Sequence, residues 1–521
     1  MTFPGPVSGT CTTCPYCGTG CGVVLTQTGS GGMAVTGDPD HPANFGRLCS
    51  KGSALGETLG HEERLMTPRV NGADSDWDSA LNLVADRFRR AIADHGSDSV
   101  AFYVSGQLLT EDYYVANKLM KGFMGSANID TNSRLCMAST VAGQRRAFGT
   151  DTVPGTYEDL DEADLIVLVG SNLAWCHPVL HQRVLAAQAA RGTRLVVVDP
   201  RRTASCDAAD LHLPISPGGD VALFNHLLAH LAKVDALDQD FLARVNGFQE
   251  TMARAQADDP AATGLSDDAL QAFCALWTGH EKVVTIFSQG VNQSSAGADK
   301  VNAILNCHLA TGRIGKPGCG PFSVTGQPNA MGGREVGGLA NMLACHLELE
   351  NPDHRSAVRD FWQAPSMPEK PGLKAVDMFR AVGEGQIKAL WIIHTNPAVT
   401  LPDADRVRDA IAGCDFVVVS DITDRTDTCR LADVVLPATA WGEKDGTVTN
   451  SDRIISRQRA VLPAQFWPRS VAAWAGSRSL ITKARQRYFA NMQRSRVWRA
   501  VSDGTLTSLA GRIWTIRDMP G

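Results

Sequence analysis

Cys14, Cys17 and Cys21 fall within eight residues, in TTCPYCGTGCG, and Cys49 follows in GRLCSKG. The spacing is C-x2-C-x3-C-x27-C. Successive turns of the close group can wrap one metal centre, and the distant fourth sulfur closes the cage. Four cysteine ligands serve either zinc or an iron–sulfur cluster. Zinc sites usually show two separated pairs, so three clustered cysteines and one distant point to a cubane cluster, with zinc as the alternative. Pro15, Gly18, Gly20 and Gly22 allow the tight turns that bring backbone N–H groups onto cluster sulfurs. Cys11 is left over as a spare.

The elements that must position these sulfurs belong to a chain of 521 residues, enough for several cores. Apolar residues make up 44% and charged residues 20%, a globular balance, and no run of eighteen apolar residues predicts a membrane span. The opening MTFPGPVSGT has no basic region, apolar core or twin arginine, so a cytoplasmic location is expected. Fourteen cysteines in such a chain read as metal or catalytic thiols rather than a disulfide framework. A net charge of −6 argues against nucleic acid as a partner.

The middle reads as α/β, with β-branched apolar runs alternating with helical stretches such as HQRVLAAQAARG. Two distant regions match each other. LIVLVGSN, HP, a helix, LVVVDPRRT and ADLHLP span 165–214; ALWIIHTNP, a helix, FVVVSDITDRT and ADVVLP span 389–437. Asn172 precedes Asp199 by 27 residues and Asn396 precedes Asp421 by 25. An Arg-Thr pair follows each aspartate, at Arg202-Thr203 and Arg425-Thr426. Each half is a strand–helix–strand unit ending in an acid, the arrangement that holds phosphates on helix N-termini and a ribose or base edge on the acid. Two halves predict two similar dinucleotides or one pseudo-symmetric cofactor; duplication of the fold alone is the plainer alternative.

From Thr12 to Ala464 the chain resembles the bis-molybdopterin guanine dinucleotide oxidoreductases, the dimethyl sulfoxide reductase superfamily, and within it the assimilatory nitrate reductases. The motifs that carry the resemblance are TTCPYCGTGCG, NSRLCMAS, GSNLAWCHPVL, TGRIGKPGCGPFSVTGQPNAMGGREVGGL and ADVVLPATAWGEKDGTVTNSDR. It implies that Cys14, Cys17, Cys21 and Cys49 hold a [4Fe–4S] cluster and that Lys51 lies between cluster and pterin. It implies Cys136 as the molybdenum ligand, a soft thiolate suited to that metal. Met137 stands where formate dehydrogenases carry a proton-accepting histidine, which favours oxygen-atom transfer. His177, Gln327, Met331, Arg334 and Glu335 resemble residues lining the substrate funnel, with Arg334 as an anion anchor or, structurally, a partner of Glu335 or of a pterin phosphate. Gly170, Asn172, Asp199, Arg201, Thr203, Gly218 and Asp220 resemble contacts of one guanine dinucleotide, and Asn396, Asp421 and Thr428 those of the other.

The implied activity is reduction of nitrate to nitrite, with electrons from a ferredoxin, flavodoxin or NAD(P)H-linked flavoprotein entering through the cluster. A formate dehydrogenase subunit, a non-catalytic iron–sulfur carrier and an inactive truncated relative are the alternatives. The expected division is a cluster domain at 1–62, two pseudo-symmetric Rossmann-like domains at 63–140 with 335–463 and at 141–334, and a basic tail at 464–521. That tail carries ten Lys or Arg against two acids, and four of the ten tryptophans, whereas the preceding residues carry −14. A shift of reading frame near 465 is the expectation, with the family's pterin-clamping domain lost; a basic arm for an acidic carrier or nucleic acid is the alternative. Translation of the neighbouring frames around codons 460–480 should recover acidic, family-like sequence, and its absence from both frames would leave the basic arm.

Overall fold

The computed structural model describes residues 9–29, 32–60 and 62–464, so the basic tail and the frame shift expected there lie outside the described residues. Thr10–Thr13 (β1), Gly22–Gln27 (β2) and Met33–Gly37 (β3) pair antiparallel in a small sheet that carries the cysteine motif. One face of β2 is buried through Val23 and Leu25 against Leu55 and Leu59.

A hairpin of Arg69–Val70 (β4) and Ala73–Asp74 (β5) precedes the first long parallel strands, Val100–Val104 (β6) and Ile129–Thr131 (β7). Leu165–Val169 (β8), Arg194–Val198 (β9), Leu211–Leu213 (β10), Val283–Phe287 (β11) and Gly320–Ser323 (β12) then form a separate sheet, entirely parallel, in the order β10-β9-β8-β11-β12. Its central strands are apolar at nearly every position because helices cover both faces. On one face Phe224, Phe273 and Trp277 pack edge-to-face beneath them.

Ala389–Ile393 (β13), Val417–Asp421 (β14) and Val434–Pro437 (β15) return to the earlier strands. The seven-stranded sheet runs β5-β4-β15-β14-β13-β6-β7, with β15 through β7 parallel. Setting β13, β14 and β15 against β8, β9 and β10, and β6 and β7 against β11 and β12, makes the two strand orders identical. The chain therefore builds one doubly wound sheet twice, once in continuous order and once with its last two strands supplied first. A final hairpin, Gly446–Thr449 (β16) and Ile455–Gln458 (β17), lies beside β1 and is bonded to it through Thr12 and Arg459. The fold is α/β, as expected: two pseudo-symmetric Rossmann-like units and a small N-terminal cysteine-bearing unit. Among the described residues no helix is long and apolar enough to cross a membrane.

In such sheets the strand order reverses at a switch point, where ligands bind beyond the strand ends. Here that is between β8 and β11, and between β13 and β6. Gly170 follows β8 at φ +52, and a Cβ there would lie 2.7 Å from the Cα of Gly290, which follows β11. Its counterpart after β13 is His394, at φ +56. Gly170→Ala should therefore cost about 2–3 kcal/mol, from strain and the clash together. Gly192→Ala, at φ +74 with open space around its Cβ position, should cost about 1 kcal/mol. Urea midpoints of the two variants check the difference, and equal losses would mean that the Gly170–Gly290 approach is not tight.

Candidate functional site

Cys14, Cys17, Cys21 and Cys49 line one small cavity, together with Tyr16, Thr19, Leu48, Gly52, Pro178 and Val179. Cys14 N–H donates to the Cys21 carbonyl at 2.9 Å and Gly20 N–H to the Cys17 carbonyl at 3.2 Å, so the loop folds back on itself. Gly20 makes this possible at φ +67, where a Cβ would lie 2.6 Å from the Asn450 Cβ. Burial pushes the Cys14 thiol up to about 12 and raises Cys17 and Cys21 too, with mutual repulsion among the four sulfurs adding to it. Yet among the described residues no three His, Cys, Asp or Glu side chains converge closely enough for a single metal ion. Four cysteines around one cavity are the donor set of an iron–sulfur cluster or of zinc. Cys11, the spare, is exposed.

Lys51 sits beside this cavity: its charge acts on Cys14 and Cys17 on one side and on His177 on the other. Gly18 joins the cavity loop to the sheets. Its carbonyl accepts from Ser451 Oγ at 2.9 Å and from Tyr157 Oη at 3.0 Å. Ser451 Oγ in turn accepts from Thr325 N–H at 3.0 Å, and the Thr325 carbonyl lies 2.8 Å from His177 Nε2. A carbonyl can only accept, so Nε2 carries the proton and Nδ1 is left as an acceptor. Burial lowers His177 to about 4, which keeps the ring neutral at ordinary pH.

Cys136 follows β7 on the helix Ser133–Phe148, which breaks at Met137 (φ −135, ψ 17). The ends of both sheets meet around it. Asn132 Oδ1 accepts from Gly106 N–H, beyond β6, and from Gln327 Nε2, beyond β12. Asn132 Nδ2 donates to Thr395 Oγ1, beyond β13. Ser133 Oγ donates to Gln327 Oε1 at 2.9 Å, and Gln289 Nε2 lies 3.0 Å from Cys136 Sγ. Met137 is buried beside the cysteine, 3% exposed. Arg334 is also buried, on the helix Ala330–Glu335, touching Met331 Sδ and within electrostatic reach of Cys136. Its ionic partner is Asp151, at 3.4 Å, while Glu335 pairs with Arg453 at 3.1 Å. The Arg334–Glu335 pair weighed from sequence is therefore replaced by Arg334–Asp151. Burial would raise the Asp151 carboxyl, but His346 and Arg334 outweigh it and hold it well below the carboxylate range.

The two pseudo-equivalent strand ends repeat in detail. Asn172 Oδ1 lies 3.1 Å from Ser205 Oγ, which accepts from Ala174 N–H. Asn396 Oδ1 lies 2.6 Å from Thr428 Oγ1, which accepts from Ala398 N–H. Ser205, missed in the sequence, is thus the counterpart of Thr428; Thr203 matches Thr426, as the spacing had paired them. The next positions, Trp175 and Val399, are exposed at 71% and 51%. Asp199 accepts from Arg201 N–H and Asp421 from Ile422 N–H at the ends of β9 and β14, and burial raises Asp421. Gly218 turns at φ +93, but Asp220 is engaged by buried Lys300 at 2.6 Å. Ser451, Tyr157, Gln289 and Asp151 were also missed as site residues. Ser451 lay inside a quoted motif; the others had no spacing signal.

Residues 64–471 match the family described as molybdopterin oxidoreductase, and residues 8–61 match its Fe4S4 domain. The chain belongs to the molybdopterin oxidoreductase family. A nitrate reductase of Klebsiella oxytoca is 54% identical over 87% of this chain and 52% of that protein. A periplasmic nitrate reductase of Desulfovibrio desulfuricans is 37% identical over 86% of this chain and 63% of that protein. Among solved structures, acetylene hydratase from Pelobacter acetylenicus superposes with a TM-score of 0.73 at 18% identity, over 88% of this chain and 68% of that one, a likeness of fold. The chain spans about half the length of the Klebsiella relative. The family's cofactors are a [4Fe–4S] cluster and molybdopterin, and the residues present fit both. His177 Nδ1, Thr325 Oγ1, Ser171 Oγ and Gln289 Oε1 are buried with no hydrogen-bonding partner among the described residues, polar groups that a pterin's nitrogens and oxygens can satisfy.

Cys21→Ser should cut the bound iron of the purified chain well below the roughly four atoms of a cubane and bleach its visible absorbance. Cys11→Ser should leave both unchanged. Iron analysis of the two variants checks this, and equal iron in both would remove Cys21 from the ligand set.

Proposed function

We propose that this chain forms the cluster- and pterin-binding part of a nitrate reductase that reduces nitrate to nitrite by oxygen-atom transfer, in cytoplasmic nitrate assimilation. The observation that carries this reading is Met137, buried directly beside Cys136. A thioether can neither take nor relay a proton, so the position is unsuited to oxidising a C–H bond and suited to a substrate that gives up oxygen. The high identity to a nitrate reductase points the same way. The proposed domains are the cluster unit at 1–62 and the two α/β units at 63–140 with 335–463 and at 141–334.

Cys14, Cys17, Cys21 and Cys49 would hold the [4Fe–4S] cluster, and Cys136 the molybdenum of a bis(molybdopterin guanine dinucleotide). That cofactor supplies the two-electron redox chemistry when bound. Asn172, Ser205, Asp199, Arg201 and Thr203 would receive one dinucleotide arm, and Asn396, Thr428 and Asp421 the other. Lys51, whose charge reaches the cysteines and His177, would lie with His177 on the electron route; a cation there favours the reduced, more negative cluster. Neutral His177 offers Nδ1 as an acceptor to the pterin. Arg334 adds positive charge near Cys136 for a planar oxyanion, with Asp151 fixing the guanidinium plane. Electrons would come from a ferredoxin, flavodoxin or flavoprotein subunit.

With a reduced viologen as donor, the holoenzyme should turn over nitrate and should not oxidise formate. Cys136→Ala should bring nitrate turnover to background while sparing the cluster's iron. Formate oxidation would favour the dehydrogenase reading instead, and retained nitrate turnover in Cys136→Ala would remove that residue as a ligand.

A further inference from the structure

Gln289 stands first in the short helix Gln289–Asn292, just beyond β11 and its switch point. Cys136 stands beyond β7, in the other sheet. Their side chains meet across the join, Nε2 to Sγ, at 3.0 Å. An amide N–H is the only group of this pair able to donate to a thiolate, whereas the amide oxygen would repel it. The approach is framed by Gly326, where a Cβ would sit 3.5 Å from Nε2 and 3.9 Å from Sγ.

The short segment that carries Gln289 is clamped onto the cysteine helix on both sides of its break. Gln293 Nε2 donates to the Leu135 carbonyl at 3.2 Å. Asn292 Oδ1 accepts from Thr140 N–H at 2.9 Å, and the Asn292 carbonyl accepts from Ser139 Oγ at 2.7 Å. Three successive contacts thus hold residues 289–293 against 135–140 across the non-helical Met137. The break frees the cysteine turn from helical geometry, and the clamp restores its position relative to the second sheet.

We propose that Gln289 is a positioning residue for Cys136, fixing the direction of its sulfur and withdrawing charge from it through the N–H···S bond. The proposal rests on Cys136 being the molybdenum ligand. A donor on a ligating sulfur weakens its donation and raises the reduction potential of the metal it binds. Gln289 thereby tunes the metal without touching it, and couples that tuning to the seating of one sheet on the other.

Gln289→Leu removes the donor at similar bulk, and Gln289→Glu replaces it with an acceptor of the same shape. In the holoenzyme both variants should keep their molybdenum and cluster signals but show altered molybdenum(V) paramagnetic resonance. The molybdenum midpoint should fall, further in Gln289→Glu than in Gln289→Leu. Nitrate turnover should drop roughly tenfold with little change in KM. A readout independent of metal loading is alkylation of Cys136 by iodoacetamide in the metal-free chain, followed by peptide mapping. It should change several-fold in both variants, because the sulfur is no longer held in one direction by the Gln289 amide. Unchanged alkylation, or an unchanged molybdenum signal in both variants, overturns the positioning role. If Cys136→Ser also leaves the molybdenum signal unchanged, the ligand assignment itself falls and the positioning role falls with it.

Discussion

One buried hydroxyl joins the three parts of this molecule. Ser451 Oγ donates to the Gly18 carbonyl in the cysteine loop and accepts from Thr325 N–H beyond β12, while Ser451 N–H donates to the same Gly18 carbonyl. Ser451 belongs to the turn between β16 and β17, so the last hairpin of the described chain pins its first loop to the edge of the cleft. The Thr325 carbonyl passes the constraint on to His177, which begins the helix Pro178–Arg191, and Pro178 and Val179 wall the cysteine cavity. Cavity and cleft are therefore held in register by main-chain groups, which tolerate little displacement in a dry interior.

The electrostatics of the cavity make metal binding part of folding. Burial pushes the thiols of Cys14, Cys17 and Cys21 upward, so these sulfurs stay protonated unless positive charge shares the cavity. Binding of iron must then release protons, and its free energy adds to that of the fold. Lys51 supplies a fixed part of the positive charge on the side toward His177. Around Cys136 the balance differs: Arg334 and Asp151 form a buried ion pair, with His346 against the same carboxylate, and Gln289 approaches the sulfur as a neutral donor.

The repeat of the sheet explains why the cleft is built from so many short segments. Each unit offers the same strand ends, and the hydrogen-bonded pairs Asn172–Ser205 and Asn396–Thr428 occupy matching places in the two. Cys136 follows β7, the last parallel strand in one unit, and lies across the join from Gln289 and Gln327 of the other. A centre placed there is contacted by both units and owned by neither.

Much of this was legible in the chain itself. The cysteine spacing, the apolar runs of β8, β9, β13 and β14, and the matched Asn and Asp offsets are local signals, because metal ligation and parallel-strand burial impose residue types at short range. That 63–140 joins 335–463 was expected only through the family resemblance; no period or spacing shows the strand order, since strands 100–131 and 389–437 meet only in space. Spacing paired Thr203 with Thr426, but only the shared hydrogen bonds to Asn172 and Asn396 show that Ser205 answers Thr428. Arg334 was found by motif, but its partner Asp151 lies 183 positions away, and Gln289 meets Cys136 from 153 positions away. The sequence determined which groups could ligate, bind phosphate or carry charge. Only the packing of one sheet against the other decided which of them meet, because contacts between distant segments depend on tertiary geometry and leave no period or spacing in the chain.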